Sequence, residues 1–118
     1  MKIRTFGRNE QTVVHVSGDL VGAAVDEFSR ELDTAGQSQC RGLLVDLTEV
    51  GFIESTAIGA LAYASVLLKK AQKGLVILAQ AGVKELFVTC NLDKTIKIVC
   101  TEELVSPTHL LTPEGAVK

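Results

Sequence analysis

The sequence predicts a single α/β domain: a mixed, mostly parallel sheet of four to five strands, opened by an N-terminal antiparallel hairpin, with helices packed against it. Three observations carry this. Short β-branched or apolar runs alternate with segments whose apolar residues recur every three or four positions. Two of the runs, Leu43–Leu47 and Leu75–Ala79, are nearly continuous in apolar residues, the pattern of interior parallel strands covered on both faces. A chain of 118 residues, 47% apolar and 22% charged, suffices for one core and leaves no room for a second domain.

Ile3-Arg4-Thr5-Phe6 alternates, Gly7-Arg8-Asn9-Glu10 supplies turn residues, and Val13-Val14-His15-Val16 resumes a β-branched run, which together predict a hairpin. After Gly18-Asp19, Val21, Ala24, Val25, Phe28, Leu32 and Ala35 are spaced for one helix face, with Gly36 as its expected stop. The strand Leu43–Leu47 follows. Ile58, Leu61, Ser65 and Leu68 then mark a long alanine-rich helix whose end collects Lys69, Lys70 and Lys73 at the negative pole of the helix dipole. Leu75–Ala79 is the next strand, Val83, Leu86, Phe87 and Cys90 space a shorter helix, and Ile96–Val99 is the last strand. Thr101-Glu102-Glu103 can open a further helix that Pro107 and Pro113 keep short, so the domain is expected over residues 1–111 and a loose C-terminal tail over 112–118.

Composition narrows the function classes. With 12 basic and 14 acidic residues the net charge is −2, which gives no cationic excess for nucleic acid or anionic lipid. No run reaches the ~18 apolar residues of a membrane span. The polar start Met1–Glu10 lacks a signal-peptide core, so a cytoplasmic location without membrane insertion is expected. Cys40, Cys90 and Cys100 are odd in number and form no C-x-x-C pair, so they are expected as reduced, buried fillers, with no metal and no cofactor. Ser55 is not in a G-x-S-x-G elbow, and its only potential bases, His15 and His109, fall in a strand and in the tail. The glycines form neither a P-loop nor a dinucleotide fingerprint. The chain is therefore read as a non-enzyme.

Parallel strands ending near Ser17, Leu47 and Ala79 bring their following loops to one sheet edge, where sites of α/β proteins collect. In the loop Thr48–Glu54, Val50, Phe52 and Ile53 are expected to pin the backbone to the core while Glu49, Glu54, Ser55 and Thr56 stay polar. Ser55 stands at the start of the alanine-rich helix. There it can cap free N–H groups, or accept a phosphate, which a helix N-terminus favours by ~0.3–1 kcal/mol, up to ~2 when partly buried.

The stretch Leu44-Val45-Asp46-Leu47-Thr48-Glu49-Val50-Gly51-Phe52-Ile53-Glu54-Ser55-Thr56-Ala57-Ile58-Gly59-Ala60-Leu61 resembles the signature of the STAS domain of bacterial anti-sigma-factor antagonists: an apolar strand, Asp-Leu, an anchored loop, then Asp-Ser-Ser/Thr-Gly-Leu-Gly opening a helix. Val16-Ser17-Gly18-Asp19-Leu20 is similar to the family's strand ending in Gly-Glu-Leu, and the resemblance spans about Lys2–Leu111. It implies a STAS-like fold and a partner switch. The unmodified chain would bind an anti-sigma factor serine kinase, phosphorylation at Ser55 (with Thr56 as second choice) would release it, and a PP2C-type phosphatase would reset it. Asp19, Glu54, Ser55, Thr56, Ala57 and Gly59 would form the partner-binding surface. Glu54 and Ala57 replace the family's Asp and first Gly, and Val21 stands where many antagonists carry a second acidic residue. The competing expectation is a STAS-like accessory or ligand-sensing subunit of a transport or sensory complex, with Ser55 only a cap and with Phe28 and Tyr63 lining a pocket or docking face.

Overall fold

The computed structural model describes residues 2–100. The expected helix after Thr101, His109, and the boundary between domain and tail lie outside the described residues. Strands β1 (Lys2–Arg8) and β2 (Gln11–Ser17) form the hairpin, followed by α1 (Ala23–Gln37), β3 (Gly42–Glu49), α2 (Ser55–Lys70), β4 (Gly74–Ala79), α3 (Ala81–Thr89), a 3₁₀ turn (Leu92–Lys94) and β5 (Lys97–Cys100). The five strands lie in sequence order, β1 antiparallel to β2 and every later neighbour parallel. The order of strands and helices is the one that hydrophobic periodicity predicts; the 3₁₀ turn is an addition.

The hairpin closes on Asn9 and Glu10, both at positive φ (51° and 69°), the primed geometry that matches strand twist. Arg41 holds the Glu10 end: its N–H donates to the Glu10 carbonyl at 2.8 Å and its Nε lies 2.6 Å from Glu10 Oε1. α1 begins at Ala23 rather than Val21, which is exposed and lies outside the helix. It runs past Gly36 to Gln37, because Ser38 supplies the ending: both its backbone N–H and its hydroxyl bond the Ala35 carbonyl. Lys73 Nζ, 2.8 Å from the Gly36 and Ser38 carbonyls, satisfies two more acceptors at this negative helix end.

One face of the sheet builds the core. Val14 and Val16 of β2, Leu43, Val45 and Leu47 of β3, and Ile77 and Ala79 of β4 join Phe28 and Leu32 of α1, Ile58, Leu61 and Leu68 of α2, and Val83 and Phe87 of α3 in one buried cluster. The alternate β3 and β4 residues Leu44, Asp46, Thr48, Val76 and Leu78 are only half-buried. The expectation of strands covered equally on both faces is thus corrected. The nearly continuous apolar runs hid a one-sided alternation because Leu44, Val76 and Leu78 are apolar on the open side as well.

Cys100 is buried as expected, Cys40 is half-buried, and Cys90 is exposed at the end of α3, so a filler role is corrected for Cys90. For Cys40, burial raises the thiol pKa, but the Ser38 and Thr12 hydroxyls and the Lys73 charge outweigh it and hold the thiol below its ordinary value.

Candidate functional site

The loops after β2 and β3 meet at one edge and are joined by backbone. The Gly18 N–H donates to the Glu49 carbonyl (3.1 Å), Leu20 N–H to Phe52 (3.0 Å), and Glu54 N–H back to Leu20 (3.1 Å), so that Leu20 and Ile53 form an isolated parallel bridge. Leu20, Val50 and Ile53 are buried and pin this pair of loops to the core. Phe52 is not an anchor: it is 52% exposed, since alternation along the bridged segment turns it away from buried Ile53.

Glu54 is the residue before the first helical turn of α2, in extended backbone, and it makes no side-chain cap bond. Its carboxylate reaches the other way: Oε1 accepts the Gly22 N–H at 3.0 Å and the Thr56 hydroxyl at 2.9 Å. Gly22 stands at φ 57°, ψ −131°, a backbone region essentially closed to residues with a Cβ, and this aims its N–H at Glu54. Glu54 therefore latches the start of α1 to the start of α2. Sequence reading did not find this latch; its only trace was a lone glycine between Val21 and Ala23.

Ser55 is the first helical residue, exposed, and its hydroxyl makes no hydrogen bond among the described residues. The expected capping role is corrected, because a residue already inside the helix does not present its hydroxyl as an N-cap does. Thr56 is exposed but its hydroxyl is engaged by Glu54. Asp19 is exposed on the neighbouring loop, where its Oδ1 would lie 3.8 Å from a Cβ at Gly51. Ala57, expected at the same surface, is fully buried and its methyl belongs to the core. Gly59 is exposed, and a Cβ there would meet nothing within 4 Å. Asp19, Glu54, Ser55, Thr56 and Gly59 thus share one edge. Phe28 is fully buried in the core while Tyr63 is exposed, which separates the two aromatics that a shared pocket required.

Glu49 lies apart from the Ser55 edge chemistry. On the open side of the sheet His15 Nε2 stands 3.3 Å from Glu49 Oε2 and 4.0 Å from Asp46 Oδ2, while Asp46 Oδ1 accepts both the backbone N–H and the hydroxyl of Thr48. The register of β2 against β3 creates this cluster, and no spacing in the sequence signals it. Among the described residues no group of three His, Cys, Asp or Glu side chains is placed to hold a metal, and no helix is long and apolar enough to cross a membrane.

A five-stranded mixed sheet with a leading hairpin, three helices, and polar loops gathered at the start of α2 defines an α/β module of the STAS type. The STAS domain family model matches residues 2–105, and the chain belongs to that family. Its fold is similar to that of an anti-sigma factor antagonist from Mycobacterium paratuberculosis, with TM-score 0.78 and 21% identity over 83% of this chain and 84% of that one. It is similar also to the anti-sigma factor antagonist SpoIIAA in its unphosphorylated form (TM-score 0.67, 16% identity, 88% and 94% covered). The Bacillus cell fate determinant SpoIIAA in its phosphorylated form gives TM-score 0.67 and 17% identity over 88% and 96% of the two chains. None of the curated proteins is detectably similar in sequence.

Proposed function

We propose that this chain is an anti-sigma-factor antagonist controlled by phosphorylation of Ser55: the unmodified form binds an anti-sigma factor serine kinase, the phosphorylated form releases it, and a PP2C-type phosphatase restores it. The observation that carries this reading is the exposed Ser55 hydroxyl, unbonded at the first turn of α2, beside a Thr56 hydroxyl already engaged by Glu54. Of the two, Ser55 offers its hydroxyl without breaking the latch.

The electrostatics have the right sign and size. α2 carries no acidic residue in its first turn, so a phosphate meets unshielded N–H donors worth ~0.3–1 kcal/mol. It also adds about −1.5 to −2 charges to an edge already bearing Asp19 and Glu54. A phosphate facing a carboxylate of the docked kinase at about 5 Å and an effective dielectric near 20 costs roughly 3 kcal/mol per unit pair, whereas on the free, exposed edge solvent screens its repulsion with Asp19 and Glu54. Retaining half of that across an interface weakens binding about tenfold, since ~1.4 kcal/mol is one decade. A docked kinase is released while the fold stays intact.

The test uses the Ser55→Ala chain as bait to recover the kinase, then incubates the native chain with that kinase and ATP. Mass spectrometry is expected to place one phosphate on Ser55, and Ser55→Asp is expected to bind the kinase at least tenfold more weakly. Modification at Thr56 or elsewhere, or kinase binding indifferent to Ser55→Asp, overturns the reading.

A further inference from the structure

The outer face of α2 is unusual for a solvent-exposed helix. From Ser55 to Leu68 the helix contains no charged residue. Its inner side, Ile58, Leu61, Ala64 and Leu68, is buried in the core, yet Tyr63, Val66 and Leu67 on the outer side are 62%, 51% and 42% exposed. A helix that is apolar all round is normally covered on both sides. The exposed residues also have an order: Thr56, Gly59, Tyr63, Val66 and Lys70 follow the three-four spacing of a coiled-coil seam. A groove runs along each flank, one against α1 that includes Leu67 and one against the 3₁₀ turn that includes Val66.

We propose that this seam pairs with the same seam of a second copy of the chain, antiparallel, about a two-fold axis passing near Tyr63. Charge selects this occupant and this direction. The start of α2 is flanked by Asp19 and Glu54, and its end carries exposed Lys69 and Lys70. Antiparallel pairing sets each acidic end against the basic end of the other copy, whereas parallel pairing stacks like charges. Ser55–Lys70 is centred between Ala62 and Tyr63, so a two-fold axis there brings Thr56 opposite Lys69 and Gly59 opposite Val66 of the second copy. The open space beyond Gly59 gives that valine room. A mid-helix glycine costs ~1 kcal/mol relative to alanine, and among the described residues no neighbour within 4 Å of a Cβ there accounts for it.

The extent of the seam sets its strength. Sixteen residues span about 24 Å, and at a width of about 10 Å the contact is some 240 Å² per copy, well under the ~800 Å² per partner of a stable complex. The pair is therefore weak and reversible, forming at high local concentration and yielding to a partner with a larger footprint. This inference does not depend on phosphorylation of Ser55, and it stands or falls on the chain alone.

Sedimentation equilibrium of the full chain from about 10 μM to about 1 mM is expected to follow a monomer–dimer equilibrium, with Tyr63→Glu raising Kd at least tenfold. Val66→Lys serves as the second variant, with circular dichroism verifying that each remains folded. For direction, Tyr63→Cys in a Cys90→Ser background is expected to form a disulfide-linked dimer on mild oxidation, and Lys70→Cys in the same background is not. A chain monomeric throughout this range, a dimer indifferent to both seam substitutions, or equal cross-linking at positions 63 and 70 would overturn the proposal.

Discussion

At the scale of single residues, the site depends on which hydroxyl is free and which carboxylate is occupied. Glu54 carries one methylene more than the family's aspartate, and in this fold its carboxylate spans to Gly22 N–H and Thr56 Oγ1. It acts as a tie between two helix starts and not as a cap. Two stability predictions follow from that difference. Ser55→Ala, which removes no hydrogen bond, should change unfolding free energy by less than about 0.5 kcal/mol. Glu54→Ala, which leaves the Gly22 N–H and the Thr56 hydroxyl without their acceptor, should cost about 1–2 kcal/mol in urea melts. Equal losses for the two would mean that Ser55 caps the helix after all. The serine's position at a helix start was legible in sequence; its exact place relative to the helix boundary was not, because a one-residue shift separates an N-cap from a first-turn residue.

Individual elements succeed where periodicity and turn chemistry agree. β1, β2, α2 and β4 carry their signals locally: alternation, paired turn residues, an alanine-rich stripe, a lysine-rich end. The end of α1 does not, since Ser38, Lys73 and the carbonyls of Ala35 and Gly36 meet only after folding. Contact between neighbouring strands is likewise invisible in the chain order. Gly42 faces Gly74 in the parallel register of β3 and β4, and a Cβ at Gly42 would lie 2.8 Å from the Gly74 carbonyl oxygen, whereas a Cβ at Gly74 would meet nothing within 4 Å. Gly42→Ala should therefore push the two central strands apart and cost about 1–3 kcal/mol, while Gly74→Ala should be tolerated. Thermal melts showing the reverse order would contradict the β3–β4 register.

For the molecule as a whole, the loops at the Ser55 edge are tied into the core by Leu20, Val50 and Ile53 and cross-linked by three backbone hydrogen bonds between residues 18–20 and 49–54. A charge added at Ser55 thus changes what the surface attracts without changing its shape. Amide chemical shifts of Ser55→Asp are expected to differ from the native chain only within residues 18–24 and 50–60, with an unfolding temperature equal to or slightly above the native one, since an acidic group in the first turn suits the helix dipole. Shift changes spreading through β4 and α3 would point instead to a conformational switch.

Periodicity alone was enough for the α/β class, the order of strands and helices, and the helix start at which the polar residues gather, because these follow from which side chains leave water along a local stretch of chain. It was not enough for the half-open sheet, the Glu54 latch, the His15–Glu49 contact, or the burial of Ala57 beside exposed Phe52. Each of those depends on segments distant in sequence coming within hydrogen-bonding or van der Waals range, and an amino-acid order records such proximity only after the sheet has set its register.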